Sequence, residues 1–129
     1  PARLQAVRNF AQMPQAPALA AANKRIGNML KKAPDTRANI DMALLQEDAE
    51  RDLVHGMLPI IKASDAAYGQ GEYARSLSKL ADLRALVDVF FEQVMVNAED
   101  PALRNNRMAI LATLHLAMNR VADLARLSA

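Results

Sequence analysis

Apolar residues recur along this chain at intervals of three and four, the spacing of one face of an α-helix. Leu4, Val7 and Phe10 form such a stripe and predict a short helix over 3–12. Pro14 and Pro17 interrupt it, and Pro17 suits the first turn of a second helix. That helix is expected over about Ala18–Lys32, with Pro34 ending it. Leu19, Ile26 and Leu30 fall on one of its sides; Lys24, Asn28 and Lys31 fall on the other, flanked by Arg25 and Lys32. Residues 33–46 carry Pro, Asp, Thr and Asn and read mainly as a loop. A third helix is expected from Glu47 or Asp48, where acidic residues suit the helix dipole, to about Tyr68. Gly56 and Pro59 inside it predict a kink or a break.

Gly69-Gln70-Gly71 reads as a turn. Tyr73, Leu77, Leu80, Leu83, Val87, Phe90 and Val94 then give helical spacing over Glu72–Val94, in one piece or two. Asp100 and Pro101 have the chemistry of an N-cap and first helical residue. The last helix is expected to reach about Leu127, with Leu103, Ile110, Leu111, Leu114, Met118, Val121 and Leu124 or Ala125 as its stripe. Five or six helices with short connections predict an all-α, antiparallel helical bundle, read as one domain over 1–129.

Composition agrees. The chain holds 26 Ala and 17 Leu against 14 Val, Ile and Thr together, and only 4% aromatics, which excludes an all-β domain. With no cysteine, disulfides, thiolate metal sites and cysteine nucleophiles are excluded. No apolar run is long enough to span a membrane and no signal-peptide pattern opens the chain; the compartment stays open, although a reducing cytoplasm fits the lack of cysteine and is the expected setting. The start at Pro1 fits removal of an initiator Met before Pro, and fits an excised fragment at least as well.

The formal charge of +2 hides a strong asymmetry. Residues 1–40 carry a net +6, residues 41–100 a net −7 and residues 101–129 a net +3. Basic ends brought side by side would favour an anionic partner; they could equally complement the acidic middle within the fold. Site chemistry is sparse. The four glycines are scattered and form no phosphate loop. His55 and His115 lie far apart without metal-ligand spacing, and His115 reads as a surface residue on its helix flank. Glu47, Asp48, Glu50 and Asp52 read as a solvated first turn, and the methionines as core filler. No catalytic or metal site is expected.

Two polar residues break the apolar pattern. Asn23 lies four after Leu19 and three before Ile26; Arg107 lies four after Leu103 and three before Ile110. A buried guanidinium needs a partner. Asn23 reads as part of an internal hydrogen-bond network. Arg107 either joins one, with Asp88 as the candidate partner, or faces a ligand. On the polar faces, lysine offers a point charge for phosphate, while arginine and asparagine offer donors in fixed geometry for a base edge. Phe90 and Phe91, adjacent in sequence, are expected buried at a helix seam; one exposed would be a platform for an unpaired base.

The run Val87-Asp88-Val89-Phe90-Phe91-Glu92-Gln93-Val94-Met95-Val96-Asn97-Ala98-Glu99-Asp100 resembles a signature of the DALR anticodon-binding domain, and Leu103-Arg104-Asn105-Asn106-Arg107-Met108-Ala109-Ile110-Leu111 resembles the element that follows it. Leu80-Ala81-Asp82-Leu83-Arg84 is similar to the element before it. Such domains close arginyl-tRNA synthetases and the β subunits of bacterial tetrameric glycyl-tRNA synthetases. Ala21-Ala22-Asn23-Lys24-Arg25-Ile26-Gly27-Asn28-Met29-Leu30 resembles the glycyl pattern. The resemblance spans about residues 3–127; Asn97, Glu92, Met108 and Leu86 depart from its usual residues, and the loop 33–46 is its least matched part.

What this resemblance implies is a non-catalytic part of a glycine–tRNA ligase that holds the anticodon end of glycine tRNA. ATP and Mg²⁺ would serve the parent enzyme, and the α subunit and the rest of the β subunit would be its partners in an α2β2 assembly. Lys24, Arg25 and Lys31 would neutralise phosphate. Asn28, Arg104, Asn105 and Arg107 would be candidates for base edges, with Asp88 orienting Arg107 or accepting from a cytosine. An arginyl-tRNA synthetase C-terminus is the alternative within this class. A helical protein-interaction module is the alternative outside it: Gly71-Glu72-Tyr73-Ala74-Arg75-Ser76-Leu77 looks superficially like a tetratricopeptide helix, but no 34-residue period recurs.

Overall fold

A computed structural model describes residues 2–120. The proposed end of the last helix, with Val121, Leu124 and Ala125, lies outside the described residues. Those described form six α-helices: α1 (Ala2–Ala11), α2 (Ala16–Lys31), α3 (Asp48–Gly69), α4 (Tyr73–Leu80), α5 (Arg84–Gln93) and α6 (Pro101–Met118). They include no strand, and the all-α class holds. The segment expected as one or two helices is two, joined by a tight 3₁₀ turn over Ala81–Leu83. A second 3₁₀ turn, Met42–Leu44, sits within the long loop, started by the Asp41 carboxylate accepting the Ala43 N–H at 2.9 Å.

α3 packs against α4, α5 and α6, while α1 lies on α4 and α2 lies on α6. The α3–α4 hairpin turns through Gly71, whose φ of 76° is left-handed and suits glycine. Its helices cross at two buried serines: Ser64 Oγ donates to the Ser76 carbonyl at 2.9 Å and Ser76 Oγ donates to the Ser64 carbonyl at 2.8 Å. Small side chains permit the close crossing, and each hydroxyl proton is used. Phe10, Leu19, Ile26, Leu53, Met57, Leu77, Leu83, Phe90, Ile110 and Leu114 belong to one continuous buried cluster. Their burial, at about 25 cal/mol per Å² of apolar surface, supplies the main stabilisation.

No break occurs at Gly56 or Pro59: α3 runs as one helix through both. Pro59 is exposed, so the carbonyl one turn before it can face water instead of an N–H. Gly56 has a packing reason instead. A Cβ there would lie 2.5 Å from Leu86 Cδ1, so glycine lets α5 approach α3.

α2 and α6 run antiparallel, joined by amides. Asn23 Nδ2 donates to Asn119 Oδ1 at 2.8 Å, and Asn119 Nδ2 returns a bond to Asn23 Oδ1 at 2.9 Å. Asn23 is fully buried, the network role expected of it. Further along, His115 packs over Gly27, with Nε2 3.3 Å from where a Cβ would stand. His115 is thus half-buried between two helices, not on an open flank as its position suggested.

Candidate nucleic-acid interface

The antiparallel pairing of α2 and α6 sets the end of α2 beside the beginning of α6. Lys24, Arg25 and Asn28 are exposed on the outer face of α2 and line a shallow groove with Met29 and Lys32. No carboxylate lines this groove. Arg25 is anchored sideways, its guanidinium 4.2 Å from the centre of the Phe91 ring on α5. Phe91 is half-buried beneath it and Phe90 is fully buried, so neither ring is an open platform. Lys31 is exposed in the last turn of α2, where a cation suits the negative end of the helix dipole.

Lys32 also borders a second, deeper hollow of about 680 Å³. One wall is the loop after α2, including Thr36, Arg37 and Asn39; the opposite wall is the start of α6, with Ala102 and Asn105. Asn105 is exposed there. The cationic face of α2 and the first turns of α6 therefore meet through Lys32, although they are remote in sequence.

The loop wall is held by Asn106. Its Oδ1 accepts the Asp41 N–H at 2.7 Å, and its Nδ2 donates to the Asp41 carbonyl at 3.0 Å. Both donors and acceptors of one peptide position are thus matched by one amide, which replaces a missing strand or helix partner. The start of α6 is held in turn: Asp100 Oδ1 accepts the Ala102 N–H at 2.8 Å as an N-cap.

Arg107 faces inward, while Arg104 is half-buried and bends back on the segment before its helix. Arg104 Nη1 donates to the Ala98 carbonyl at 3.0 Å and secures the connection into α6. Arg107 is only 4% exposed. Its Nη1 donates to the Met95 carbonyl at 2.7 Å, and its Nη2 donates to Glu50 Oε1 at 3.0 Å. The partner expected for Arg107 was Asp88, and this is corrected. Asp88 is exposed, pairs loosely with Arg84 at 3.4 Å, and lines a separate hollow with Pro14 and Gln15. It faces a different element because residue 88 lies on the solvent side of α5, whose inward positions are Val87 and Phe90.

Glu50 is likewise not solvated. It is wholly buried, and its Oε1 also accepts the Glu47 N–H at 3.0 Å, satisfying an N-terminal donor of α3. The spacing carries a signal for this: Glu50 lies three before Leu53 and four before Val54, inside the apolar stripe. Asn106 has the same signal, four before Ile110.

A family model described as the DALR anticodon binding domain matches residues 19–126. The chain belongs to the DALR anticodon-binding domain family. The chain is 63% identical over its whole length to the glycine–tRNA ligase beta subunit of Leptothrix cholodnii. It is 58% identical to that of Delftia acidovorans and 57% identical to that of Methylobacillus flagellatus, over 98% of the chain in each case. The chain spans 18% of the length of each of these relatives. Among the described residues of the DALR domain, no helix is long and apolar enough to cross a membrane, and no group of three His, Asp or Glu side chains could hold a metal ion.

Proposed function

We propose that this chain is a single anticodon-binding domain of a glycine–tRNA ligase β subunit, holding the anticodon loop of glycine tRNA while another part of the enzyme performs the chemistry. The observation that carries this reading is the carboxylate-free groove of Lys24, Arg25 and Asn28, which continues through Lys32 into the hollow beside Asn105. Phosphates of a single-stranded loop would lie along the cations, and an unpaired base would turn into the hollow. The high identity to proteins named glycine–tRNA ligase beta subunit supports glycine over arginine as the amino acid.

In this reading Lys24, Arg25 and Lys31 neutralise phosphate, and Asn28 and Asn105 approach base edges. Arg104 and Arg107, with their guanidiniums committed to internal carbonyls and Glu50, act as positioning residues. Asp88, in its separate hollow, has no base within this interface. An α subunit, the remainder of the β subunit and a cytoplasmic setting complete the proposed assembly. ATP and Mg²⁺ serve its catalytic part, and no residue of this chain is assigned to them.

Filter binding to anticodon stem-loops of glycine and arginine tRNAs, at several salt concentrations, tests the proposal. Preference for the glycine loop with affinity falling steeply in salt is expected. Preference for the arginine loop would transfer the domain to an arginyl enzyme. RNA affinity that ignores both salt and anticodon would point instead to a protein-interaction module.

A further inference from the structure

The two adjoining depressions differ in chemistry. The α2 groove offers cations and no carboxylate, which suits phosphate. The hollow offers both signs: Lys32 and Arg37 as donors, Asp35 and Asp41 as acceptors, with the amides of Asn39 and Asn105 between them. A phosphate gains from the first kind of surface and is repelled by carboxylates in the second. A nucleobase edge, which alternates donors and acceptors, suits the second.

We infer that the hollow between residues 35–41 and the start of α6 is the specificity pocket for one splayed cytosine, with Arg37 and Asn105 as its readers. The inference rests on the anticodon-binding reading above and moves base selection away from α2, Arg104 and Arg107. Three features support it. The volume of about 680 Å³ falls in the range of small-ligand clefts and accommodates a base with its ribose. Ala33, Ala102 and Ala109 provide small apolar walls against which a flat ring can lie. The Asp41 end of the loop wall is pinned before any ligand arrives, because Asn106 holds both backbone groups of that residue; a wall anchored in advance loses less freedom on binding.

Glycine codons begin with two guanines, so the matching anticodons carry two cytosines, and cytosine fits this lining through its polar edge. Its exocyclic amino group donates, which matches a carboxylate of Asp35 or Asp41. Its ring nitrogen and carbonyl oxygen accept, which matches the guanidinium of Arg37 and the amide of Asn105. Uracil reverses the first two of these polarities, with a carbonyl in place of the amino group and an N–H at the ring nitrogen. It would face a carboxylate with an acceptor, so the same pocket discriminates against it.

The test uses the 129-residue chain and the glycine anticodon stem-loop, alongside stem-loops in which each anticodon cytosine is singly replaced by uridine. The wild-type chain is expected to bind at least one uridine-substituted loop roughly tenfold or more weakly, the penalty of one mismatched base contact. Arg37→Ala removes the donor to the ring nitrogen, an acceptor only in cytosine, and should narrow that ratio by weakening the cytosine loop more than the substituted one; Asn105→Ala removes the donor to the carbonyl oxygen that both bases keep, and should weaken both loops. Lys24→Ala should weaken both loops alike and preserve the ratio. Circular dichroism confirms that the variants retain their helices; Arg37 is an exposed loop residue, so its variant also serves if Asn105→Ala unfolds. If wild-type discrimination survives Arg37→Ala in full, or Asn105→Ala leaves both affinities unchanged, the pocket is wrong while the anticodon-binding function stands. If the wild-type chain binds no stem-loop in a salt-dependent way, that function falls and the pocket falls with it.

Discussion

Arg107 and Glu50, 57 residues apart in the chain, meet at 3.0 Å with their side chains 5% and 0% exposed. The pair ties α6 to the first turn of α3, and the bond from Arg107 to the Met95 carbonyl adds the connection after α5. Three segments thus converge on one guanidinium beneath the proposed RNA surface. Removing one member of such a pair leaves the other charge uncompensated in a low-dielectric interior. Arg107→Ala should therefore lower the unfolding free energy by about 3–5 kcal/mol, read as a drop in urea midpoint. Arg107 Nε and Glu50 Oε2 are buried without a protein partner, so the pair is imperfectly satisfied. Joint replacement with Arg107→Met and Glu50→Leu should recover the part of the loss that comes from the stranded charge, while the Glu47 N–H and the Met95 carbonyl still lose their partners. Equal stability of Arg107→Ala and the unmodified chain would show that the pair is not buried as described.

Asn106 performs a comparable task for the loop, with neutral groups. Asn106→Ala would leave the N–H and carbonyl of Asp41 without their present partners. The expected cost is about 1–3 kcal/mol if they remain shielded, and less if the loop moves out to water. Hydrogen exchange separates these outcomes from no effect. The Asp41 amide should lose protection in the variant, while the amides of α3 and α4 exchange as before. Unchanged protection at Asp41 would mean that the loop is held by something other than this amide.

The helices were legible because most stripes are clean, and the two ends of α6 and α2 carry proline and cap signals that act locally. Partner choice was not. Arg107 and Glu50 each interrupt an apolar stripe, yet only Arg107 stood out, because Glu50 sits among acidic neighbours that suit any helix start. Pairing between them depends on how α3 and α6 cross, which no local pattern encodes. Asp88 was assigned to Arg107 on charge alone, although its own helix turns it to solvent. The cationic side of α2 was readable from its periodicity. The hollow was not, since its loop wall is pinned by the long-range Asn106 contact.

Gly56 offers a packing test independent of any ligand. Alanine in a helix interior is favoured over glycine by about 1 kcal/mol, but at this position its Cβ would meet Leu86 Cδ1 at 2.5 Å. Because a side-chain tip can shift, Gly56→Ala should come out near neutral, the two effects opposing one another. In a Leu86→Ala background the obstruction is gone, and the same substitution should stabilise by up to about 1 kcal/mol. Urea unfolding of the four proteins closes a double-mutant cycle. Coupling near zero would mean that α3 and α5 are further apart than described.

Lys24 and Arg104 are both cations of the interface region, and the structure gives them opposite fates on removal. Lys24 is exposed and makes no ion pair among the described residues. Lys24→Ala should leave stability within about 0.5 kcal/mol. If Lys24 contacts a phosphate, the variant should bind every RNA loop more weakly, with the salt slope reduced by about one counterion. Arg104, by contrast, donates to the Ala98 carbonyl. Arg104→Ala should cost about 1–2 kcal/mol of folding stability. Its effect on RNA should arise through the displaced start of α6, as altered discrimination with little change in salt slope, because no phosphate contact is lost. Parallel salt titrations of the two variants decide the matter. A reduced slope for Arg104→Ala and an intact one for Lys24→Ala would exchange their roles and place the phosphate path along α6 instead of α2.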